Sequence, residues 1–378
     1  METTSHAASR YIAYFTKGLA DVVTGEISAL AAGAACGQTA DRFTVVTADA
    51  AAVTRLCSLG RTIDDFRLLV AGPSAIPDAE SFDQLCAQAG AATRAYLAAT
   101  DPARAAVTPW SVTISARTPS WRRGPGWDLA APIAARLGGA DLRGRSRAPV
   151  DLRIQADGEQ AHISVSLGPR PPGKRAAGPL RAGALRPSVA AALVRLALGA
   201  AGPAAAARGL YDPCCGTGTI PAEALWLSLP AYASDIDPEA VALTTQRLTT
   251  QRLATQRLAT QRVAVQPAAT GPGRPAPRVR VFRHDVLAGP PRDVAARMVA
   301  SNLPWGKQIQ LASHARLFDA IAALTARAVA EGGASALLTT APQQLVARIR
   351  RQAPAARITT RQLGLLGQTP TVVLAQPR

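Results

Sequence analysis

A chain of 378 residues with 48% apolar residues can bury a sizeable core and has room for two domains of ordinary size, which excludes a disordered protein. Its formal net charge is +17, from 42 Lys and Arg against 25 Asp and Glu, and only Lys17, Lys174 and Lys307 among the bases are lysines. Arg forks pair well with phosphates, so a polyanionic partner is expected, although a coding bias toward Arg and Ala would raise the charge equally.

From Tyr11 the segment YIAYFTKGLADVVTGEISAL reads as a strand turning into a helix. RFTVV, RLLVAG, WSVTISA, VDLRIQADG and AHISVSLG read as strands, the last two flanking Asp157-Gly158 as a hairpin. Residues 1–170 are therefore expected to form an α+β region. The run GPRPPGKRAAGPLRAG, from Gly168 to Gly183, is rich in Pro, Gly and Arg and reads as a linker, set at 171–184. Over 185–378 strands and helices alternate, which predicts a Rossmann-like, doubly wound α/β domain. RQLGLLG and TPTVVLAQ would complete its seven strands as an antiparallel edge.

One segment breaks this rhythm. From Gln246 four copies of a five-residue unit follow one another, QRLTT, QRLAT, QRLAT and QRVAV, and run into a Pro- and Gly-rich stretch, so 246–277 reads as a low-complexity insertion. Five residues advance a helix by about 140° beyond one full turn, so the repeated leucines make no single stripe. One copy is expected to finish the preceding helix and the other three to extend into solvent. A basic arm on nucleic acid is the alternative, since eight Arg and no acid lie between Glu239 and Asp285.

Five cysteines, with no Cys-x-x-Cys pair, argue against a disulfide framework and against a structural zinc site, and no metal is expected. The first residues lack a basic segment followed by a long apolar run, and no apolar stretch reaches 18 residues. Neither a secretion signal nor a membrane partner is expected, and the cytoplasm is the default location.

The chemistry concentrates at four strand ends. LYDPCCGTGTIPAEA places Asp212 at the end of a strand, then Cys214 and Cys215, then the Gly-rich turn Gly216-Thr217-Gly218-Thr219, then a helix. Glycines allow positive φ and a close backbone approach to a ligand, and the helix N-terminus offers free N–H groups. The turn is neither a P-loop nor a GxGxxG motif. The second strand ends at Asp235, suited to ribose hydroxyls, while Asp237 suits capping the helix that begins at Pro238. The third ends at Asp285, which would accept from an adenine amine or else cap a turn. The fourth ends Asn302-Leu303-Pro304-Trp305. This order and spacing match a methyltransferase that binds S-adenosylmethionine.

DPCCGTGTIPAEA, SDIDPEA and NLPWGKQ, in this order, resemble the THUMP-containing RNA methyltransferases, and most nearly the tRNA guanine-N2 enzymes. The resemblance is clear over about 180–378. It is weaker over 1–170, where YIAYFTKGLADVVTGEI is similar to the family's ferredoxin-like opening and VDLRIQADGEQAHISVSLG to a THUMP end. It implies a class I methyltransferase domain behind a ferredoxin-like, THUMP-like RNA-binding region, with S-adenosylmethionine as cofactor and RNA, above all tRNA, as partner. Asp212, Cys214, Gly216 and Gly218 would surround the methionine part of the cofactor, Asp235 its ribose and Asp285 its adenine. Asn302, Leu303, Pro304 and Trp305 would form the clamp for the target amine. The Asn302 side-chain oxygen and the Leu303 carbonyl would accept the amine hydrogens, Pro304 would fix the backbone, and Trp305 would stack on a flipped base. Trp305 departs from the Phe or Tyr frequent there, and Cys214-Cys215 reads as small packing residues under the cofactor. Guanine in rRNA, adenine, or a non-catalytic RNA-binding role are the alternatives.

Overall fold

The computed structural model describes residues 8–75, 79–100, 111–116, 151–157, 160–167, 183–260, 278–304, 314–365 and 367–378. Most of the linker (171–182), Trp305 and the fourth repeat copy lie outside the described residues. Two units emerge. One comprises Met1–Tyr14, Ala31–Cys57 and Asp65–Pro171, the other Phe15–Leu30, Ser58–Asp64 and Pro172–Arg378. Two short N-terminal stretches thus belong with the C-terminal part of the chain, which a single cut at the linker does not capture.

The first unit is built on a sheet of β1 (Ser9–Tyr14), β2 (Ala35–Thr39), β3 (Phe43–Ala48), β4 (Asp65–Ala75), β5 (Ser111–Ala116), β6 (Asp151–Asp157) and β7 (Gln160–Ser166). Their order is β2-β3-β1-β4-β7-β6-β5. Helix α1 (Ala20–Leu30) separates β1 from β2, and α2 (Ala50–Leu59) separates β3 from β4, giving β-α-β-β-α-β connectivity. A longer helix, α3 (Ala79–Thr100), follows β4. The expected hairpin around Asp157-Gly158 is present as the antiparallel pair β6–β7. β2, α2 and α3 were not legible in the sequence, because short Ala-rich and polar segments carry little periodicity. His162 lies buried beside the Phe43 ring, with its Nε2 2.8 Å from the Tyr14 hydroxyl. Burial, and then the charge of Arg153, hold its pKa down at about 4.

The second unit holds β8 (Leu210–Asp212), β9 (Ala231–Asp235), β10 (Val279–Arg283), β11 (Met298–Asn302), β12 (Ala334–Thr339), β13 (Arg357–Gln362) and β14 (Thr371–Gln376). The order is β10-β9-β8-β11-β12-β14-β13. The first five are parallel, and β14 and β13 close the sheet with antiparallel pairs. The helices are α4 (Pro187–Ala200), α5 (Pro203–Arg208), α6 (Thr219–Trp226), α7 (Pro238–Thr260), α8 (His314–Ala330) and α9 (Pro342–Gln352). Pro at the first position starts α4 and α9, where no N–H is needed. The core on one side of the sheet joins Tyr211, Leu303, Phe318, Ile321, Leu337 and Ile349. Aliphatic side chains dominate it, as the aromatic content of 4% requires.

Helix α7 corrects one expectation. It runs through three repeat copies to Thr260, not one, because Gln, Arg, Leu and Ala are good helix formers and nothing in the repeat breaks a helix. The first copy is packed, with Leu248 and Arg247 buried.

Buried charge fastens the two N-terminal stretches into this unit. Glu26 of α1 accepts from the backbone N–H groups of Arg61 and Thr62 at 2.9 and 2.7 Å, and from Arg195 of α4 at 2.6 Å. Arg61 donates through Nε and Nη2 to both oxygens of Glu223 on α6, at 2.9 and 2.6 Å. Its guanidinium also lies 4.7 Å from the centre of the Trp226 ring. Gly18 sits at φ +94°, where a Cβ would come within 2.2 Å of the Gln362 carbonyl oxygen, so only glycine allows this approach to β13.

Candidate functional site

The strand order fixes where a ligand can sit. From β8 the chain moves outward to β9 and β10, then returns to β11 on the other flank of β8. The switch point therefore lies between β8 and β11, and open parallel sheets bind ligands at the carboxyl ends of the strands there. Asp212 ends β8, Asp235 ends β9, Asp285 follows β10 by two residues and Asn302 ends β11. All four stand at the same edge of the sheet.

The Gly-rich turn follows Asp212. Gly216 and Gly218 have φ values of +52° and +73°. A Cβ on Gly218 would come within 2.8 Å of the Thr244 side chain, so the turn lies tight against α7. Thr244 holds the turn from that side, donating its hydroxyl to the Gly216 carbonyl at 2.9 Å. Asp235 holds it from another, with Oδ2 accepting from the Gly216 N–H at 2.9 Å and Oδ1 from the Asp237 N–H at 3.1 Å. Each carboxylate oxygen keeps a further lone pair for a ligand hydroxyl. Asp237 accepts from the Glu239 N–H at 2.9 Å, as a helix-capping side chain does.

Asp212 is 1% exposed. Burial pushes its pKa up to about 7, against the opposing pull of the Ser301 hydroxyl and the Cys214 N–H, and the nearby Asp235 charge adds to the rise. Cys214 is half-buried, Cys215 is buried, and neither forms a disulfide. Burial pushes both thiols well above their usual range, so neither is a thiolate nucleophile at neutral pH. The Asp285 side chain accepts from the Leu287 N–H at 2.9 Å and so caps a short 3-10 turn, Val286–Ala288.

At β11 the Asn302 amide nitrogen donates to the Gly183 carbonyl at 3.3 Å. Leu303 is fully buried, and its N–H donates to the Leu338 carbonyl at 3.0 Å. Pro304 follows, half-buried, and Trp305 lies outside the described residues.

Four residues of this edge were missed in the sequence. Ile236 and Leu287 are, among the described residues, the exposed large hydrophobics, at 57% and 40%, and they directly follow or nearly follow Asp235 and Asp285. Apolar residues left in water beside strand-end acids suit the faces of a flat ring. Their position after the acids was the available signal. Thr217 Oγ1 is buried in the Gly-rich turn with no hydrogen-bond partner among the described residues, as a ligand-binding hydroxyl would be. Ser301 is buried and donates to Asp212, which needs knowledge of strand neighbours to foresee. Open space at Gly216, a hydroxyl without a partner, acids at strand ends and two apolar faces together fit a nucleoside carrying a polar tail. Among the described residues no group of His, Cys, Asp and Glu could hold a metal, and no helix is long and apolar enough to cross a membrane.

Comparison with known proteins agrees with this geometry. A 128-residue segment, 31% of the chain, is 33% identical to the tRNA (guanine(6)-N2)-methyltransferase of Thermus thermophilus and spans 37% of that protein. The fold matches the crystal structure of TrmN from Thermus thermophilus with a TM-score of 0.62 and 21% identity, covering 98% of this chain and 99% of that one. It also matches the methyltransferase SMU.472, complexed with SAH, with a TM-score of 0.62 and 12% identity over 98% of this chain and 99% of that one. The model of the RMKL-like methyltransferase domain matches residues 174–369, just over half the chain, and the chain belongs to that family, UPF0020.

Proposed function

We propose that the protein is an S-adenosylmethionine-dependent RNA methyltransferase acting on the exocyclic N2 amine of a guanine in tRNA. The observation that carries this reading is the adjacency of β8 and β11 at the switch point, which brings the Gly-rich turn and Asn302 to one edge. A cofactor in the turn and an amine at Asn302 would then lie side by side. The membership in a methyltransferase family, the partial likeness to a tRNA guanine-N2 enzyme and the net charge of +17 support it. The β-α-β-β-α-β connectivity from β1 to β4, whose helix α1 falls in the second unit, suits a ferredoxin-like, THUMP-like RNA-binding region.

Bound S-adenosylmethionine supplies an electrophilic methyl group. Asp212, Cys214, Gly216 and Gly218 surround its methionine part, with Thr217 as a further donor. Asp235 accepts from the ribose hydroxyls. Asp285 reads the adenine, whose faces Ile236 and Leu287 cover. On the acceptor side a guanine amine is a weak nucleophile, because its lone pair is delocalised into the ring. Asn302 Oδ1 and the Leu303 carbonyl accept its two hydrogens and turn the nitrogen lone pair toward the methyl group. The Gly183 carbonyl engages the nitrogen end of the Asn302 amide and holds the side chain at this edge. Pro304 fixes the Leu303 carbonyl, and Trp305 stacks on the base. Positioning carries the rate: the new N–C bond would form as the methyl's C–S bond breaks with its electrons left on sulfur, and the amine proton would leave to water after transfer, so no strong general base is needed.

Incubation with labelled cofactor and unmodified tRNA and rRNA, followed by nucleoside mass spectrometry, tests the proposal. N2-methylguanosine in tRNA is the expected product. Label in rRNA alone, or as methyladenosine, would overturn the substrate assignment. No calorimetric heat with S-adenosylmethionine would point instead to a non-catalytic RNA-binding protein.

A further inference from the structure

Ser301 precedes Asn302 on β11 and is fully buried. Successive residues of a strand point to opposite faces, and here the two side chains make different attachments. Asn302 holds Gly183, whereas the Ser301 hydroxyl crosses the switch point to Asp212 and donates to Oδ1 at 2.7 Å. The Cys214 N–H donates to the same oxygen at 3.2 Å. Both bonds converge on Oδ1, and no described residue hydrogen-bonds to Oδ2. A carboxylate pinned by one oxygen has its other oxygen aimed.

We propose that Ser301 is a positioning residue of the cofactor site, fixing Asp212 so that Oδ2 meets the α-ammonium of the cofactor's methionine part. This rests on reading the cleft as an S-adenosylmethionine site. The electrostatics around Asp212 favour a cation there. Asp235 on β9 is a like charge, and the buried thiols of Cys214 and Cys215 and the Tyr211 phenol are all pushed toward their neutral forms. Glu223 on α6 is already met by Arg61. None of the groups acting on the acid is a cation. An incoming ammonium would supply the positive charge that the acid lacks, and the Ser301 hydroxyl favours the ionised form that binds it.

Two consequences can be measured. With its pKa near 7, Asp212 holds a proton in much of the ligand-free protein at neutral pH, so binding a cation must release it. Calorimetric titration with S-adenosylmethionine at pH 7, in buffers of different ionisation heat, should show release of about half a proton. Ser301→Ala should weaken binding about five- to tenfold at pH 6 to 7, as a rise of about one pKa unit in the acid predicts, and the gap should close by about pH 9. Methylthioadenosine, which lacks the ammonium, should bind wild type and variant alike. Ser301→Cys keeps the volume and weakens the donor, so it should show the same pattern in smaller size and carries the test if the Ala variant does not fold.

A deficit that is constant with pH, or that extends equally to methylthioadenosine, would make Ser301 a packing residue and overturn the inference alone. Folded wild type that fails to bind S-adenosylmethionine would overturn both the cofactor reading and this inference.

Discussion

Asn302 is attached through its amide nitrogen, which donates to the Gly183 carbonyl and holds the side chain at the end of β11. Truncation to Ala would remove the oriented oxygen while leaving Asp212, Asp235 and the Gly-rich turn in place. Asn302→Ala should therefore lower methyl transfer by about 100-fold or more, while cofactor affinity stays within about threefold. Rate assays beside calorimetry check this, and equal loss of both would show that Asn302 serves the fold. The strand-end acids were legible because a strand followed by a Gly-rich turn and a helix fixes where the first acid must stand. Their second duties were not. Asp235 braces the turn through Gly216, because a spacing shows which residue arrives but not which oxygen is taken, whereas the turn-capping alternative read for Asp285 is the one its side chain makes. Ser301 was invisible for a related reason, since its partner is 89 residues away in sequence and becomes a neighbour only once β8 and β11 pair.

Alternation of strands and helices made most elements of the second unit readable, since most of its short, largely apolar strands are followed by a longer helical pattern. The ends were less so. β13 begins at Arg357, ahead of the expected RQLGLLG strand, because the half-polar RITTRQ segment alternates weakly at a sheet edge. Helix α7 shows where periodicity fails. A five-residue repeat has no face, so composition and not pattern decides that it stays helical. Its first copy meets the core through Leu248. Leu248→Ala should cost about 2–4 kcal/mol in chemical denaturation, as buried leucines do. Deleting the copies at 251–260 should leave transfer within a few-fold, and a large drop with folding intact would instead identify the repeat as an RNA-binding arm.

Across the whole molecule, acidity acts on the two units with opposite sign. His162 titrates at about 4 when folded, below its ordinary 6.5, so the unfolded chain takes up its proton first and the first unit loses stability as pH falls from about 6.5 to 4. Asp212 titrates at about 7 when folded, above its ordinary 3.8, so the folded chain holds a proton that the unfolded chain has released. Its contribution to stability therefore grows as pH falls from 7 toward 4. Hydrogen exchange over this range should show the β1–β7 sheet weakening on acidification. His162→Gln should flatten that trend, and Asp212→Asn should remove the opposite trend from the second sheet. Net charge says nothing of how the chain is shared between the units, where two buried acids, Glu26 and Glu223, meet Arg195 and Arg61. The interleaving has a consequence for modular exchange. A chimaera joined at the linker would carry the catalytic sheet without residues 15–30 and 58–64, leaving Glu223 buried without its guanidinium and Arg195 without its acid. Stranding one buried charge typically costs about 3–5 kcal/mol. A first unit exchanged between relatives would have to travel without those two stretches, which stay behind as native parts of the second unit.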